Sequence, residues 1–310
     1  MFKDQRDSQG LVWRVEPICK VLSSQYGVKI SASAYYAFRR RPVSARSLRD
    51  EHLKERILAI WEENYNCYGA NRIYHYLLND KVVVARCTVE RLMKELGLRG
   101  RNRARVKRTT IAGDHARSAE DLVRRNFYAD SPNRLWVADF TYISTWEGWG
   151  YTAFVTDVYA RRIIGHAVSS RMNEKLVADA FKMAVYNRSR EGRDDFSDLV
   201  HHNDKGSQYT ADDFFELLAL HGIRASIGTV GDSYDNALAE TMNGGYKNEL
   251  IFNPLKGPWR TLEQLQKETD EWVWWHNNRN ITEYNNWHTP AQIEEMLYTD
   301  GEDGRKGSSK

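Results

Sequence analysis

The stretch Trp136-Val-Ala-Asp-Phe-Thr-Tyr-Ile143 alternates apolar and mixed side chains, which predicts the first β-strand of the fold. Two similar runs follow at residues 151–159 and 163–168. The turns predicted between them are Trp146-Glu-Gly-Trp-Gly150 and Ala160-Arg-Arg162. The three runs therefore predict an antiparallel meander in a region that begins near Pro132.

Helices and strands alternate after the meander. Apolar periodicity predicts helices at residues 174–186 and 211–220, and short β-branched runs predict strands at 199–202 and 223–227. A last helix begins near residue 235. Three strands followed by alternating helices and strands predict an α/β fold, with a mixed five-stranded sheet covered by helices.

Three acidic residues fall on three of these predicted elements. Asp139 lies in the first strand, Asp204 follows the fourth in His201-His-Asn-Asp-Lys-Gly-Ser-Gln-Tyr209, and Glu240 lies in the last helix, with 35 residues between it and Asp204. Carboxylate oxygens suit Mg²⁺, and two such ions stabilise the attacking and leaving oxygens of a phosphodiester displacement. The trio therefore predicts a site for divalent metal.

The last helix carries a polar stripe. Asn236, Glu240, Asn243 and Lys247 are three or four residues apart and share one face, so Lys247 could meet a phosphate beside Glu240. A solvated polar face explains the same pattern without chemistry. A second face steps through four apolar residues that can pack on the sheet: Leu238, Met242, Tyr246 and Leu250.

Other candidate ligands have simpler explanations. A hairpin symmetric about Gly148 would place Asp157 opposite Asp139, but Asp157 precedes the turn at Arg161 and Arg162, where a structural role suffices. We interpret His201 and His202 as one packed side chain and one residue at the rim of the site. They are not predicted to be metal ligands, because no further His or Cys lies at ligand spacing. These residues stay outside the predicted ligand set.

Charge is distributed unevenly along the 310 residues. Residues 1–130 carry 26 Lys and Arg against 15 Asp and Glu, a net charge of +11, whereas residues 131–310 carry 19 against 27, a net charge of −8. This asymmetry favours binding of a polyanion by the front half, although a solvated basic surface has the same composition.

The front half also contains a helix-turn-helix pattern. The pattern consists of helical runs at 48–64 and 71–78 and a third helix that ends at Gly97, and the second helix of such a unit could enter a DNA major groove. A three-helix packing module that does not bind DNA has the same pattern. A basic linker follows, which reads as a phosphate-binding segment or a flexible hinge. The cations predicted to contact DNA in these two regions are Arg86, Arg91, Lys94, Arg99, Arg101, Arg103, Arg105, Lys107 and Arg108.

Composition excludes several other classes of protein. No stretch approaches the roughly 18 to 20 apolar residues of a membrane span, and the first residues do not form a secretory signal, so we expect a cytoplasmic protein without membrane partners. Cys19, Cys67 and Cys87 are odd in number and lack a C-x-x-C pair. Neither a disulfide framework nor a zinc site is predicted.

Several motifs together resemble a known family. They are Tyr68-Gly-Ala70, Pro132-Asn-Arg-Leu-Trp-Val-Ala-Asp-Phe-Thr-Tyr142, the run from His201 to Tyr209, Gly231-Asp-Ser-Tyr-Asp-Asn-Ala-Leu-Ala-Glu240, and Trp275-His-Asn-Asn-Arg279. Over nearly its whole length the chain is similar to the orfB products of bacterial insertion sequences of the insertion sequence three family. These are transposases whose catalytic core resembles retroviral integrases and has a ribonuclease-H-like fold.

The resemblance implies roles for particular residues. Asp139, Asp204 and Glu240 would be the catalytic acids that hold two Mg²⁺ or Mn²⁺ ions, and Lys247 would contact DNA. Lys205 stands where the family usually has arginine, and Gly245 where it usually has leucine. The glycine costs about 1 kcal/mol in helix propensity. Asn236, Asn243 and Lys205 complete the set expected to contact DNA near the acids.

The resemblance also implies an organisation and a set of partners. Double-stranded DNA, as element ends and target, would be joined in a synaptic complex of several copies near the bacterial nucleoid, possibly together with an upstream orfA product. The alternatives are a non-catalytic DNA-binding regulator derived from a transposase and a nuclease of the same fold.

The predicted regions are an unassigned segment (1–45), a helix-turn-helix-like DNA-binding region (46–98), a basic linker (99–130), an integrase-like catalytic core (131–255), a helical extension with a tryptophan-rich core (256–297) and a disordered tail (298–310).

Overall fold

The computed structural model describes residues 6, 12, 14–101, 119–204, 209, 212–228 and 236–306. Its helices are α1 (Val15–Tyr26), α2 (Ala32–Arg40), α3 (Ala45–Glu63), α4 (Ala70–Asn79), α5 (Arg86–Glu95), α6 (Glu174–Arg190), α7 (Asp212–Leu220), α8 (Ala237–Tyr246), α9 (Leu262–Asn278) and α10 (Pro290–Lys306). The strands are β1 (Leu135–Thr145), β2 (Gly148–Asp157), β3 (Arg162–Ser169), β4 (Val200–Asn203) and β5 (Arg224–Ile227). A π-helical turn, Lys247–Ile251, continues α8.

The five strands form one mixed sheet in the order β3-β2-β1-β4-β5. Strands β1, β2 and β3 pair antiparallel as the predicted meander, whereas β4 and β5 add in parallel beside β1. Parallel neighbours need a crossover, and α6 and α7 occupy the two connections. The predicted mixed sheet covered by helices is confirmed.

The hairpin between β1 and β2 differs from the prediction. Thr145 pairs with Gly148, so the turn consists of Trp146 and Glu147 and is not centred on Gly148. As a result Asp157 lies opposite Trp136, while Asp139 lies opposite Phe154. Gly148 has φ +118° and begins β2, which is why symmetry about this glycine mispredicts the register by three residues.

Each face of the sheet packs against a different helix. On one face Trp136 and Ala138 join Phe181 of α6 in the larger hydrophobic core. On the other face Leu135 and Val137 pack with Leu238 and Ala239 of α8. The four apolar residues predicted to face the sheet from the last helix and its continuation are all buried: Leu238, Met242, Tyr246 and Leu250.

Helix α6 approaches β3 so closely that a glycine is required. A Cβ atom at Gly165 would lie 2.1 Å from the carbonyl oxygen of Ala180 and 2.7 Å from the backbone nitrogen of Ala184. No side chain larger than hydrogen fits there without a shift of the helix backbone. The close contact fixes α6 against the meander and leaves the opposite face to α8.

The chain divides into two compact units, Met1–Glu55 and Arg56–Lys310. The first unit contains α1 and α2 in the segment that could not be assigned from sequence. Gly27, at φ +66°, ends α1, and the Ser31 hydroxyl caps α2 by accepting from the Ala34 N–H at 3.1 Å. None of the helices in the described part of the chain is long and apolar enough to cross a membrane.

The second unit joins the helix-turn-helix-like region to the sheet through α9. The Trp275 indole donates to Asn64 at 3.0 Å, and the Tyr68 hydroxyl accepts from the Ile281 N–H at 3.0 Å. Of the three tryptophans expected in the core, Trp272 and Trp275 are buried, but Trp274 is 58% exposed. The prediction for Trp274 is therefore wrong, because this side chain points away from the packed face of α9.

Helix α10 extends into the region expected to be a disordered tail. It continues to Lys306, and its buried Glu294 contacts the guanidinium of Arg188 in α6 at 2.7 and 2.8 Å. One turn later the Tyr298 ring lies 3.7 Å from the Arg193 guanidinium carbon. These contacts hold α10 on the core at Glu294 and at Tyr298, the first residue of the segment expected to be disordered.

Candidate active site

The pairing of β1 with β4 brings two of the predicted acids together. Leu135 pairs with Val200 and Ala138 with Asn203, so the next step of this register joins Asp139 to Asp204. In-register residues on adjacent parallel strands have side chains on the same face of the sheet. Asp139 and Asp204 therefore lie side by side at the end of β4.

Helix α8 brings the third acid to the same place. The Asn243 side-chain amide donates to the Asp139 carboxylate at 2.8 Å, and the Asn236 amide donates to the Ala138 carbonyl at 3.2 Å. Both asparagines are buried. Glu240 stands between them on α8, one turn before Asn243, so the polar stripe predicted from sequence faces the acids on the sheet.

Electrostatics couple the three carboxylates. Burial raises the pKa of Asp139 well above its ordinary value, repulsion from Asp204 raises it further, and Glu240 adds a smaller repulsion. Hydrogen bonds from the Phe140 N–H and the Asn243 amide act in the opposite direction. Three acids that repel one another at a partly buried point form an environment that a divalent cation would stabilise.

The donor set fits a hard cation, although the side chains do not form a closed ligand cluster. Among the residues described, no group of three His, Cys, Asp or Glu side chains has metal-binding geometry. Asp139 is held by two hydrogen bonds, whereas Asp204 and Glu240 are exposed. All three side chains offer carboxylate oxygens, the donors that hard divalent cations prefer.

Lys247 lies near the acids. It is the first residue of the π-helical turn, and its ammonium nitrogen lies 4.8 Å from the centre of the Tyr142 ring. Burial lowers the pKa of Lys247, while attraction from Asp139 acts to raise it. Lys247 is thus a half-buried cation beside the carboxylates. Gly245 does not interrupt α8, which continues through Tyr246.

The other cations predicted to contact DNA lie in varied environments. Arg86 and Arg91 are paired with glutamates four residues later in α5, at 2.9 and 2.7 Å. Lys94 and Arg99 are exposed. Arg101 donates to two backbone carbonyls after α8. The remaining predicted residues, Lys205, Arg103, Arg105, Lys107 and Arg108, lie outside the described part of the chain.

The competing candidates have structural roles. Asp157 is fully buried and accepts from Arg188 at 2.7 Å. His201 and His202 are both fully buried, so the expectation that one would be a rim residue is wrong. His202 shares a 2.8 Å hydrogen bond with the Ser226 hydroxyl in the neighbouring strand β5. Both imidazoles are buried because β4 lies between β1 and β5 inside the sheet.

Sequence reasoning did not single out two aromatic residues. The Lys247 ammonium group lies over the ring of Tyr142. Burial raises the pKa of Tyr209, and the nearby charges of Asp139 and Asp204 raise it further. Tyr209 closes the run that begins at His201, and Tyr142 closes the run around Asp139. Their positions at the ends of the two acidic motifs could have indicated from sequence that both tyrosines lie near the acids.

Comparison with known families gives three matches along the chain. The pattern of the HTH-like domain matches residues 48–106, and two patterns, each described as Integrase core domain, match residues 129–233 and 221–289. The first of these covers the predicted DNA-binding helices. The other two cover the sheet, the three acids and α9.

Several proteins are similar over most of their length. A putative transposase for insertion sequence element IS986/IS6110 from Mycobacterium tuberculosis strain H37Rv is 49% identical over 269 residues, which are 87% of this chain and 96% of the relative. The transposase for insertion sequence element IS629 from Shigella sonnei is 41% identical over 294 residues, or 91% and 96%. Transposase InsF for insertion sequence IS3A from Escherichia coli K12 is 30% identical over 239 residues, or 76% and 79%.

Among solved structures, the HTLV-2 integrase catalytic core domain in complex with magnesium matches 53% of this chain and 98% of its own. The identity is 21% and the TM-score is 0.42.

Proposed function

The chain belongs to the bacterial insertion-sequence transposases with an integrase core domain, and we propose that Asp139, Asp204 and Glu240 are the carboxylates with which it cleaves and joins DNA. The observation that carries the proposal is the convergence of the three acids from β1, the end of β4 and α8. Family membership argues against the alternative of a non-catalytic regulator.

Each residue has a distinct task in this proposal. Asp139 is the fixed ligand, since Asn243 and the Phe140 N–H hold its two oxygens. Asp204 and Glu240, whose charges both act on Asp139, complete the donor set. Two Mg²⁺ or Mn²⁺ ions, when bound, would lower the pKa of the attacking hydroxyl and stabilise the charge on the leaving oxygen.

The reaction requires no covalent link to the protein. A water oxygen, or later a DNA 3′-hydroxyl, attacks phosphorus and loses its proton to solvent while the bond from phosphorus to the 3′-oxygen breaks in line. Lys247, half-buried beside Asp139, would hold a nonbridging phosphate oxygen next to the cleaved bond. The chemistry is thus phosphodiester transfer, with water or DNA as the nucleophile.

The proposal extends to partners. The HTH-like domain and the basic linker would bind the duplex ends of the element, in line with the net charge of +11 of residues 1–130. Joining two ends requires both in one assembly, so we propose a homo-oligomeric synaptic complex, acting at the nucleoid with target DNA and an upstream orfA product.

The test is a strand-transfer assay on the element's own ends in Mg²⁺. Asp139→Asn, Asp204→Asn and Glu240→Gln should each abolish nicking and joining, a loss of at least about 100-fold, while duplex binding stays near wild type. Asp213→Asn, on the exposed start of α7, is the matched control and should remain active. Wild-type joining by any of the three variants would remove that residue from the site.

A further inference from the structure

The π-helical turn after α8 is held by residues of the helix-turn-helix-like region and of the start of the basic linker. Helix α8 carries Glu240, and the turn carries Lys247, so the geometry of the turn determines where the lysine lies relative to the acids. The turn ends this helical segment, so its last backbone carbonyls have no donor within the helix and need other partners. We propose that Arg101, predicted from sequence to contact DNA, is instead a positioning residue that fixes this turn.

The Arg101 guanidinium binds the turn directly. One nitrogen donates to the Asn248 carbonyl at 2.7 Å and another to the Phe252 carbonyl at 3.0 Å. The Arg101 N–H donates to the Cys67 carbonyl at 3.0 Å, which anchors the arginine to the helical region. A planar guanidinium can satisfy two carbonyls at once, and a cation at the end of a helix is favoured by its dipole.

Two further contacts join the same segments. Arg72 of α4 lies 3.5 Å from the carboxylate of Glu249, which is only 8% exposed. The Asn253 side-chain amide donates to the Tyr65 carbonyl at 3.0 Å. The segment 248–253 therefore contacts the region 56–101 through Arg101, Arg72 and Tyr65, and of these three residues Arg101 is the one whose side chain binds backbone carbonyls of the segment.

The consequence concerns the active site and rests on the proposed function, since it takes α8 as the active-site helix. Removing the guanidinium leaves the Asn248 carbonyl in the turn and the Phe252 carbonyl just after it without this donor, which lets Lys247 move relative to Asp139. Small displacements of positioning groups cost up to about 100-fold in rate. Arg101 should therefore affect joining of bound DNA, whereas a phosphate contact would affect the binding of DNA.

The experiment compares Arg101→Ala and Arg101→Lys in the full chain. Strand transfer is measured at saturating DNA, and DNA affinity is measured across salt concentrations. We expect Arg101→Ala to slow joining by about 10- to 100-fold with an unchanged salt slope, and Arg101→Lys to recover part of the rate. Arg171→Ala, an exposed arginine after β3, is the control and should match wild type.

A second readout is independent of catalysis. Hydrogen exchange of the amides of residues 247–253 should speed up in Arg101→Ala while exchange in β1 and α6 stays unchanged; if the alanine variant does not fold, the lysine variant is measured instead. Full joining at saturating DNA with a salt slope reduced by about 1, or unchanged exchange at 247–253, would overturn the proposal. If wild type failed to join DNA, the proposed function would fall, while the exchange experiment would still decide the role of Arg101.

Discussion

Three histidines are buried in the described part of the second unit, and burial keeps two of them, His201 and His276, neutral. His201 has no exposed surface, and neither ring nitrogen reaches hydrogen-bond geometry with a described residue; it packs edge-on against Phe181 and Phe214. Burial lowers the pKa of His201 to about 3 and that of His276 to about 4. Both imidazoles are therefore uncharged at neutral pH and resist protonation in the folded state.

The pKa shifts predict a loss of stability in mild acid. Below pH 6.5 the unfolded chain takes up protons at these imidazoles while the folded chain does not, so the free energy of unfolding falls as pH decreases toward 4. Each histidine should contribute about 2 kcal/mol of this loss between pH 6.5 and 5. His201→Phe should weaken the pH dependence by that amount in urea unfolding. The exposed His52→Gln is the control, and an unchanged slope in His201→Phe would contradict the assigned burial.

Lys247 allows a second test at the scale of a residue. Lys247→Ala should reduce end binding and joining more than it reduces stability, because a half-buried lysine over one ring contributes little to folding. Lys247→Arg should retain part of the activity, since the charge remains but its geometry changes. Thermal unfolding and strand transfer are measured on the same samples, with the exposed Lys182→Ala as control. A variant that joins normally, or one that simply unfolds, would place Lys247 outside the site.

At the scale of elements, the buried ion cluster of Asp157, Arg188 and Glu294 holds β2, α6 and α10 together. All three side chains are at most 1% exposed. Removing one partner of a buried ion pair typically costs about 3–5 kcal/mol, because the remaining charges lose their compensation. The cluster therefore holds the first turns of α10 on the core.

The corresponding prediction is a large loss of stability in Arg188→Met. Its free energy of unfolding, measured with urea, should fall by about 3 kcal/mol or more, since Asp157 and Glu294 would lose their shared cation. Arg190→Met, two residues later on the exposed side of α6, should change it by less than about 0.5 kcal/mol. Equal effects of the two substitutions would show that the cluster does not hold α10.

The elements themselves could largely be predicted from sequence, since alternation and helical periodicity are local. The five strands and α8 lie within about three residues of their predicted bounds, and the polar stripe of α8 does face Asp139. The hairpin register could not be predicted, because it depends on a two-residue turn before Gly148. The donors to Asp139 and the burial of His202 depend on contacts between distant segments, which no local pattern encodes.

At the scale of the whole molecule, the boundary between the basic and acidic halves of the chain does not coincide with the boundary between the two compact units. The basic front half ends near residue 130, whereas the compact units divide at residue 55. Asn64, just after α3, contacts Trp275 of α9, and Arg101 binds the turn after α8. The sequence predicts a DNA-binding region separate from the catalytic core, but residues 56–101 belong to the same compact unit as the sheet. Activity and DNA binding should therefore be measured separately for variants in this region.

The most direct measurement of the central claim is the metal preference of strand transfer when Asp139 is replaced by cysteine. A thiolate is a poor ligand for Mg²⁺ but is better accepted by Mn²⁺, which is a softer ion. Wild type should join DNA in either metal. Asp139→Cys should be inactive in Mg²⁺ and partly active in Mn²⁺, while Asp139→Asn in Mn²⁺ controls for the general permissiveness of that ion. Activity of the cysteine variant equal to wild type in Mg²⁺, or identical behaviour of the cysteine and asparagine variants in both metals, would contradict a metal-binding role for Asp139.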